Sequence, residues 1–154
     1  MRKAQVSFEY ILIVGIVMLL IIPGALLFYN YSLKASDEIV RAKIELIGKE
    51  TLESVEKVYY IGESSWETLQ LDFPSNVRWV YILDNNEIVV EYDSYVGKSE
   101  AVFFSDINIT TNYFIGGKSY LSDVPSDPQN MHSGVNIIKI TSMGSYVMLN
   151  ETKG

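Results

Sequence analysis

From Tyr10 to Leu33 the chain runs for about 24 residues without a charge, reading YILIVGIVMLLIIPGALLFYNYSL. As a helix rising 1.5 Å per residue, that length crosses a hydrocarbon layer of roughly 30 Å. A helix is also the one open-chain conformation that satisfies its own backbone in lipid. The segment must therefore be covered by lipid or by other helices, and this governs everything else the chain can do.

A secretory signal peptide is the first rival, because Arg2 and Lys3 precede the run. Signal-peptide cores are typically about 7–15 residues long and end in a small-x-small cleavage site. This run is longer, and FYNYSLKASDE supplies no such site. The expectation is a retained spanning helix. Pro23 and Gly24 lie inside it; proline removes a backbone donor and usually kinks a helix. Such a break is tolerated where neighbouring helices satisfy the freed groups. A kinked anchor and a helix packed among others both fit.

Arg2 and Lys3 favour an N-terminus on the cytoplasmic side, while Lys34, Arg41 and Lys43 weaken that bias. Three Asn-x-Ser/Thr sequences begin at Asn30, Asn108 and Asn150, where composition predicts roughly one. They are candidate glycosylation sites and point to an exported C-terminal part. The sequence has no cysteine, which removes disulfides and thiolate metal sites. Its formal net charge of -7 argues against binding nucleic acid.

Glu9 stands at the mouth of the apolar run. An ionised group in hydrocarbon costs several kcal/mol unless paired, so a charge there is either functional or held in the headgroup layer. The flanking residues favour the first reading. KAQVSFEYILI resembles the class III signal peptide of archaeal type IV prepilins, in which a short basic leader precedes a Gln-x-Ser-x-Glu-x-x-x-Leu core leading into the hydrophobic helix. Gln5, Ser7 and Glu9 fall at matching positions. Ile13 takes the place of the final leucine, with Leu12 beside it, and Ala4 stands where the family usually has glycine. The resemblance covers about the first thirty residues.

That resemblance implies cleavage between Ala4 and Gln5 by a membrane-embedded prepilin peptidase on the cytoplasmic side. The apolar helix would stay on the mature chain, with a new α-amino group on Gln5. In a growing filament the Gln5 amine of an incoming subunit would meet Glu9 of a neighbour, and neutralising both charges would set the axial register. The partners it implies are other pilin subunits, the peptidase, an assembly ATPase and a membrane platform protein, with lipid around the helix before assembly.

Beyond Leu33, Ile39, Val40, Ile44, Ile47, Leu52, Val55, Val58 and Tyr59 recur three to five apart and make one apolar stripe. Gly62 reads as the stop and Gly48 as a soft spot. Joined to the apolar run, this predicts a helix of roughly 55 residues, about 80 Å long. From Trp66 the pattern becomes strand-like: LQLDF, VRWVYIL, EIVVEYD, AVFFS, INITTNYFI, VNIIKIT and SYVMLN. Turns are expected at Asp84–Glu87 and Ser142–Ser145, and a polar Pro-containing loop from Ser122 to Gly134. The predicted fold is α+β, type IV pilin-like. It has a leader (1–4), an apolar helix (5–33), an amphipathic stem (34–62) and an antiparallel β head of about five to seven strands (63–154), with the stem covering one sheet face.

Catalysis finds little to work with. His132 is the single histidine and lies in the polar loop. IGGKSY at Ile115–Tyr120 lacks the spacing of a phosphate-binding loop. Asp123 with Asp127, or Asp84 with Glu87, lacks the alternation of a calcium loop. No enzyme activity, cofactor or metal is expected. The eleven tyrosines serve sheet packing or an adhesive surface equally well. The leading expectation is a filament subunit at the cell surface, serving adhesion. The alternatives are a minor pilin or pseudopilin, and a single-pass membrane protein with a ligand-binding β domain that never polymerises.

Overall fold

A computed structural model describes residues 2–122 and 133–152, with side chains from Glu9 onward. One helix, α1, runs from Arg2 to Ile61 and passes through Pro23. The chain divides into two compact units, Met1–Glu38 and Ile39–Gly154.

In the second unit, the last part of α1 is followed by nine described strands: β1 (Trp66–Phe73), β2 (Val77–Leu83), β3 (Glu87–Ser94), β4 (Gly97–Phe104), β5 (Ile109–Thr111), β6 (Tyr113–Ile115), β7 (Lys118–Tyr120), β8 (Gly134–Ser142) and β9 (Val147–Thr152). They form two sheets, ordered β1-β8-β9-β5 and β4-β3-β2-β7-β6. The expectation of a single antiparallel sheet is thus corrected on two counts. There are two sheets, and β5 runs parallel to β9. The predicted strand INITTNYFI divides at Asn112, its first half joining one sheet and its second half the other. β7 is a three-residue strand that the sequence pattern was too short to reveal.

The turns follow from local chemistry. Asp84 and Asn85 both have positive φ, 51° and 62°; they are the two central residues of the turn Leu83–Asn86, closed by the Asn86 N–H donating to the Leu83 carbonyl, within the three-residue connection of β2 to β3. Between β6 and β7 the same pair of positions is filled by Gly116 and Gly117. That accounts for the paired glycines of IGGKSY without any phosphate. The expected turn at Ser142–Ser145 is also present, closed by the Met143 N–H donating to the Tyr146 carbonyl.

One core joins α1 to both sheets. Ile44, Ile47, Val55 and Val58 from the helix pack with Leu71 and Phe73 of β1, Val80 and Ile82 of β2, Ile88 and Val90 of β3, and Ile138 and Ile140 of β8. Val40, Leu52 and Tyr59 pack at its margin. The predicted stripe holds with one exception: Ile39, at 68% exposed, faces away. Thr51 and Ser54 take inward positions that the apolar pattern missed. The Thr51 hydroxyl donates to the Ile47 carbonyl at 2.8 Å, which lets a polar side chain sit in the core.

Gly48 is no soft spot. A Cβ built on it would clash with the ring of Phe103 from β4, so the glycine is where the helix accepts an aromatic ring. Gly62 ends the helix as expected, at φ 119°. The Ser65 hydroxyl serves the Val58 and Gly62 carbonyls at 2.5 and 2.6 Å. The hydroxyl adds to the backbone bonds these carbonyls already accept at the helix C-terminus, from the Gly62 N–H to Val58 and from the Ser65 N–H to Gly62.

Candidate assembly helix and head surface

Every described residue from Glu9 to Ser32 is exposed, on all sides of the helix. Tyr10, Leu19, Leu27 and Phe28 are each about 70% exposed, and the most apolar 18 residues of the helix have a mean hydropathy of 3.0. An amphipathic helix hides one stripe; this one presents apolar side chains around its whole circumference. Covering one such side chain is worth about 1.5–3 kcal/mol, so the helix is long and apolar enough to cross a membrane and is compatible with anchoring in one. Glu9 is the charge at the start of this surface, and Ile13 sits one turn on, 58% exposed. Ala4, Gln5 and Ser7 lie on the first helical turns; only their backbone is described.

Past Ile39 the surface changes character. Lys43 pairs with Asp72 and Lys57 with Glu67, so two ion pairs run from α1 to β1 along one flank of the buried stripe. On the solvent face Lys49 reaches Glu45 one turn back at 2.8 Å. That hydrogen bond, then the lysine's charge, holds the Glu45 carboxyl below its ordinary value against a small opposing effect of desolvation, with Arg41 adding to the pull.

The face of the second sheet turned away from the core carries a transverse row. Val102, Val89, Tyr81, Tyr120 and Tyr113 stand in register across all five strands. Tyr81 is buried at 4% exposure although its neighbours Val80 and Ile82 point the other way. The Lys118 ammonium sits 3.8 Å above the Tyr81 ring, and Trp79 meets Tyr120 edge-on at 5.6 Å. Partial burial works against the Lys118 charge. The hydrogen bond to Tyr81 and the neighbouring Tyr81, Tyr120 and Glu100 outweigh it, and the lysine pKa is raised. The tyrosines thus divide between roles: Tyr81 and Tyr92 pack, whereas Tyr60 and Tyr95 are exposed.

The three Asn-x-Ser/Thr sequences fall on three kinds of backbone. Asn30 is on α1, Asn108 is in the loop before β5, and Asn150 is inside β9. Asp84 and Glu87 flank the β2–β3 turn. Asp123, Asp127 and His132 lie outside the described residues, as does most of the expected Ser122–Gly134 loop. Among the described residues no group of three or more histidines and carboxylates is placed to hold a metal ion.

Sequence reasoning missed the Gly48–Phe103 seat and the Lys118–Tyr81 contact. The first had a signal, a glycine lying on the apolar stripe itself. The second depends on strand register and had none.

The chain matches no family model, no curated protein and no solved structure.

Proposed function

We propose that this protein is a structural subunit of a type IV pilus-like filament of the archaeal kind, held in the membrane by α1 before assembly and serving surface attachment. The observation that carries this reading lies in α1 itself. Its first part is apolar and exposed all round, while its later residues Ile44, Ile47, Val55 and Val58 are committed to the core of a β-rich unit. A helix of that kind needs either lipid or copies of itself, and small residues at Gly15, Gly24 and Ala25 allow close approach between helices. The order Gln5, Ser7, Glu9 immediately before the apolar run supports removal of a short leader.

In this reading Glu9 is an assembly residue. Docked against the freed Gln5 amine of the next subunit, its carboxylate is neutralised where hydrocarbon would otherwise penalise it. The β head faces outward and contributes the adhesive surface. Catalysis has no part.

The decisive experiment is the intact mass of the N-terminal peptide from native membranes. Mass spectrometry is preferred because an N-terminal glutamine cyclises and blocks sequential degradation. A peptide starting at Gln5 supports processing by a prepilin peptidase. One starting at Met1, or at Arg2, describes an unprocessed anchor and sinks the filament reading. A start beyond Leu33 would make the apolar run a secretory signal.

A further inference from the structure

Of the three Asn-x-Ser/Thr sequences, Asn108 alone joins exposure, suitable backbone and a surface able to receive a sugar. On α1 the Asn30 and Ser32 side chains are two residues apart, about 200° around the helix, so the amide and the hydroxyl point away from each other. Asn150 is half-buried in β9, paired with Lys139 of β8 in the middle of a ladder. Asn108 is exposed, and its main chain is fixed on both sides. Its carbonyl accepts from the Val147 N–H at 2.8 Å, and the Ile109 N–H donates to the Asn85 carbonyl at 2.6 Å.

Because the chain is extended from here into β5, residues 108 and 110 share a side. Both line a groove of about 250 Å³ together with Asn85, Ile109 and Tyr146. Among the described residues the Thr110 hydroxyl makes only a long contact, 3.5 Å to the Thr111 carbonyl, which leaves it able to engage the Asn108 amide. The lining carries no charge. It combines an aromatic face at Tyr146, 38% exposed, with the amide of Asn85, which both donates and accepts. A neutral ring with one apolar face and many hydroxyls suits it. The volume falls just below the roughly 300–1,000 Å³ of drug-sized pockets, in keeping with a single sugar.

We propose that Asn108, and neither Asn30 nor Asn150, carries an N-linked glycan whose first sugar lies on Tyr146 in this groove. The donor is a glycosyl phosphate on a lipid carrier. A bond forms between Asn108 Nδ2 and the anomeric carbon of the sugar. The bond from that carbon to the phosphate oxygen breaks, its electron pair stays with the phosphate, and the amide gives up one proton to a base of the transferase. The proposal requires only that the head be exported, so an unprocessed, non-polymerising protein is tested equally well.

Trypsin separates the three sites, because Lys34, Lys98, Lys118, Lys139 and Lys153 bracket them. In protein from native cells, mass spectrometry of the peptide Ser99–Lys118 should show added sugar mass, lost in Asn108→Gln. The peptides holding Asn30 and Asn150 should be unmodified. Sugar on either of those, or on none of the three, overturns the assignment. The groove is tested by the NMR signals of the first sugar, which should be displaced by the ring current of Tyr146 and relax to free-sugar positions in Tyr146→Ala. Signals identical in the two proteins overturn the seating on Tyr146.

Discussion

The ring of Phe103 occupies the space that a side chain at Gly48 would need. In an exposed helix, replacing glycine by alanine gains about 1 kcal/mol. Here Gly48→Ala should instead cost about 1–3 kcal/mol, as overpacking does. Removing the ring in Phe103→Ala should also destabilise, by about 1–3 kcal/mol because the ring is only half-buried. In that background Gly48→Ala should become neutral or favourable. Urea unfolding in detergent, followed by fluorescence of Trp66 and Trp79, measures all three, since both tryptophans are in strands of the head.

At the end of α1, Gly62 has a φ of 119°, which side chains rarely adopt. Gly62→Ala should lower stability by about 1–2 kcal/mol. Ser65→Ala should cost about 1 kcal/mol, by leaving the Val58 and Gly62 carbonyls without their shared donor. The same unfolding curves report both. No loss in Ser65→Ala would mean that water replaces the hydroxyl at no cost.

The assembly role proposed for Glu9 separates from anchoring. Glu9→Gln should leave the protein in the membrane fraction with its leader removed, yet abolish filaments seen by electron microscopy of intact cells. Filaments of normal number in that variant would make Glu9 a headgroup-level charge and nothing more.

Glu45 gives a prediction in pH. Its folded pKa lies below the ordinary 4.5, chiefly through the hydrogen bond from Lys49. A depressed carboxylate stabilises the fold above its unfolded value, and that contribution disappears as pH falls through the folded value. Lys49→Met should therefore move the Glu45 titration, read by carboxyl NMR shifts, back up toward 4.5. The stability difference between the two proteins should be present at neutral pH and vanish in acid. An unmoved midpoint would show that the ion pair does not persist in solution.

Helix and strand existence was largely legible because periodicity reports which face is buried. The stripe through Ile44, Ile47, Val55 and Val58 announced a one-sided helix, and Gly62 announced its end. What the sequence hid was pairing. Nothing local tells Ile109–Thr111 to run parallel to β9 while Tyr113–Ile115 joins the other sheet. That choice belongs to residues far apart in the chain, as does the placing of Phe103 on Gly48. The same holds at the groove: the tripeptide at Asn108 was visible, but Asn85 and Tyr146 reach it only through the fold.

The order of strands also sets a timetable. β1 follows directly on α1, yet its partner along its full length is β8, with Trp66 opposite Thr141. Synthesis runs from the N-terminus, at roughly 5–20 residues per second. While residues 74–133 are being made, the first strand has no partner to match its backbone, whereas the hairpins β2–β3 and β3–β4 already have both their strands. The sheet that holds β1 is completed only when β8 and then β9 emerge. By then the apolar segment of α1 has already met whatever solvent it will occupy, so the chain chooses its surroundings before it has a finished surface to show.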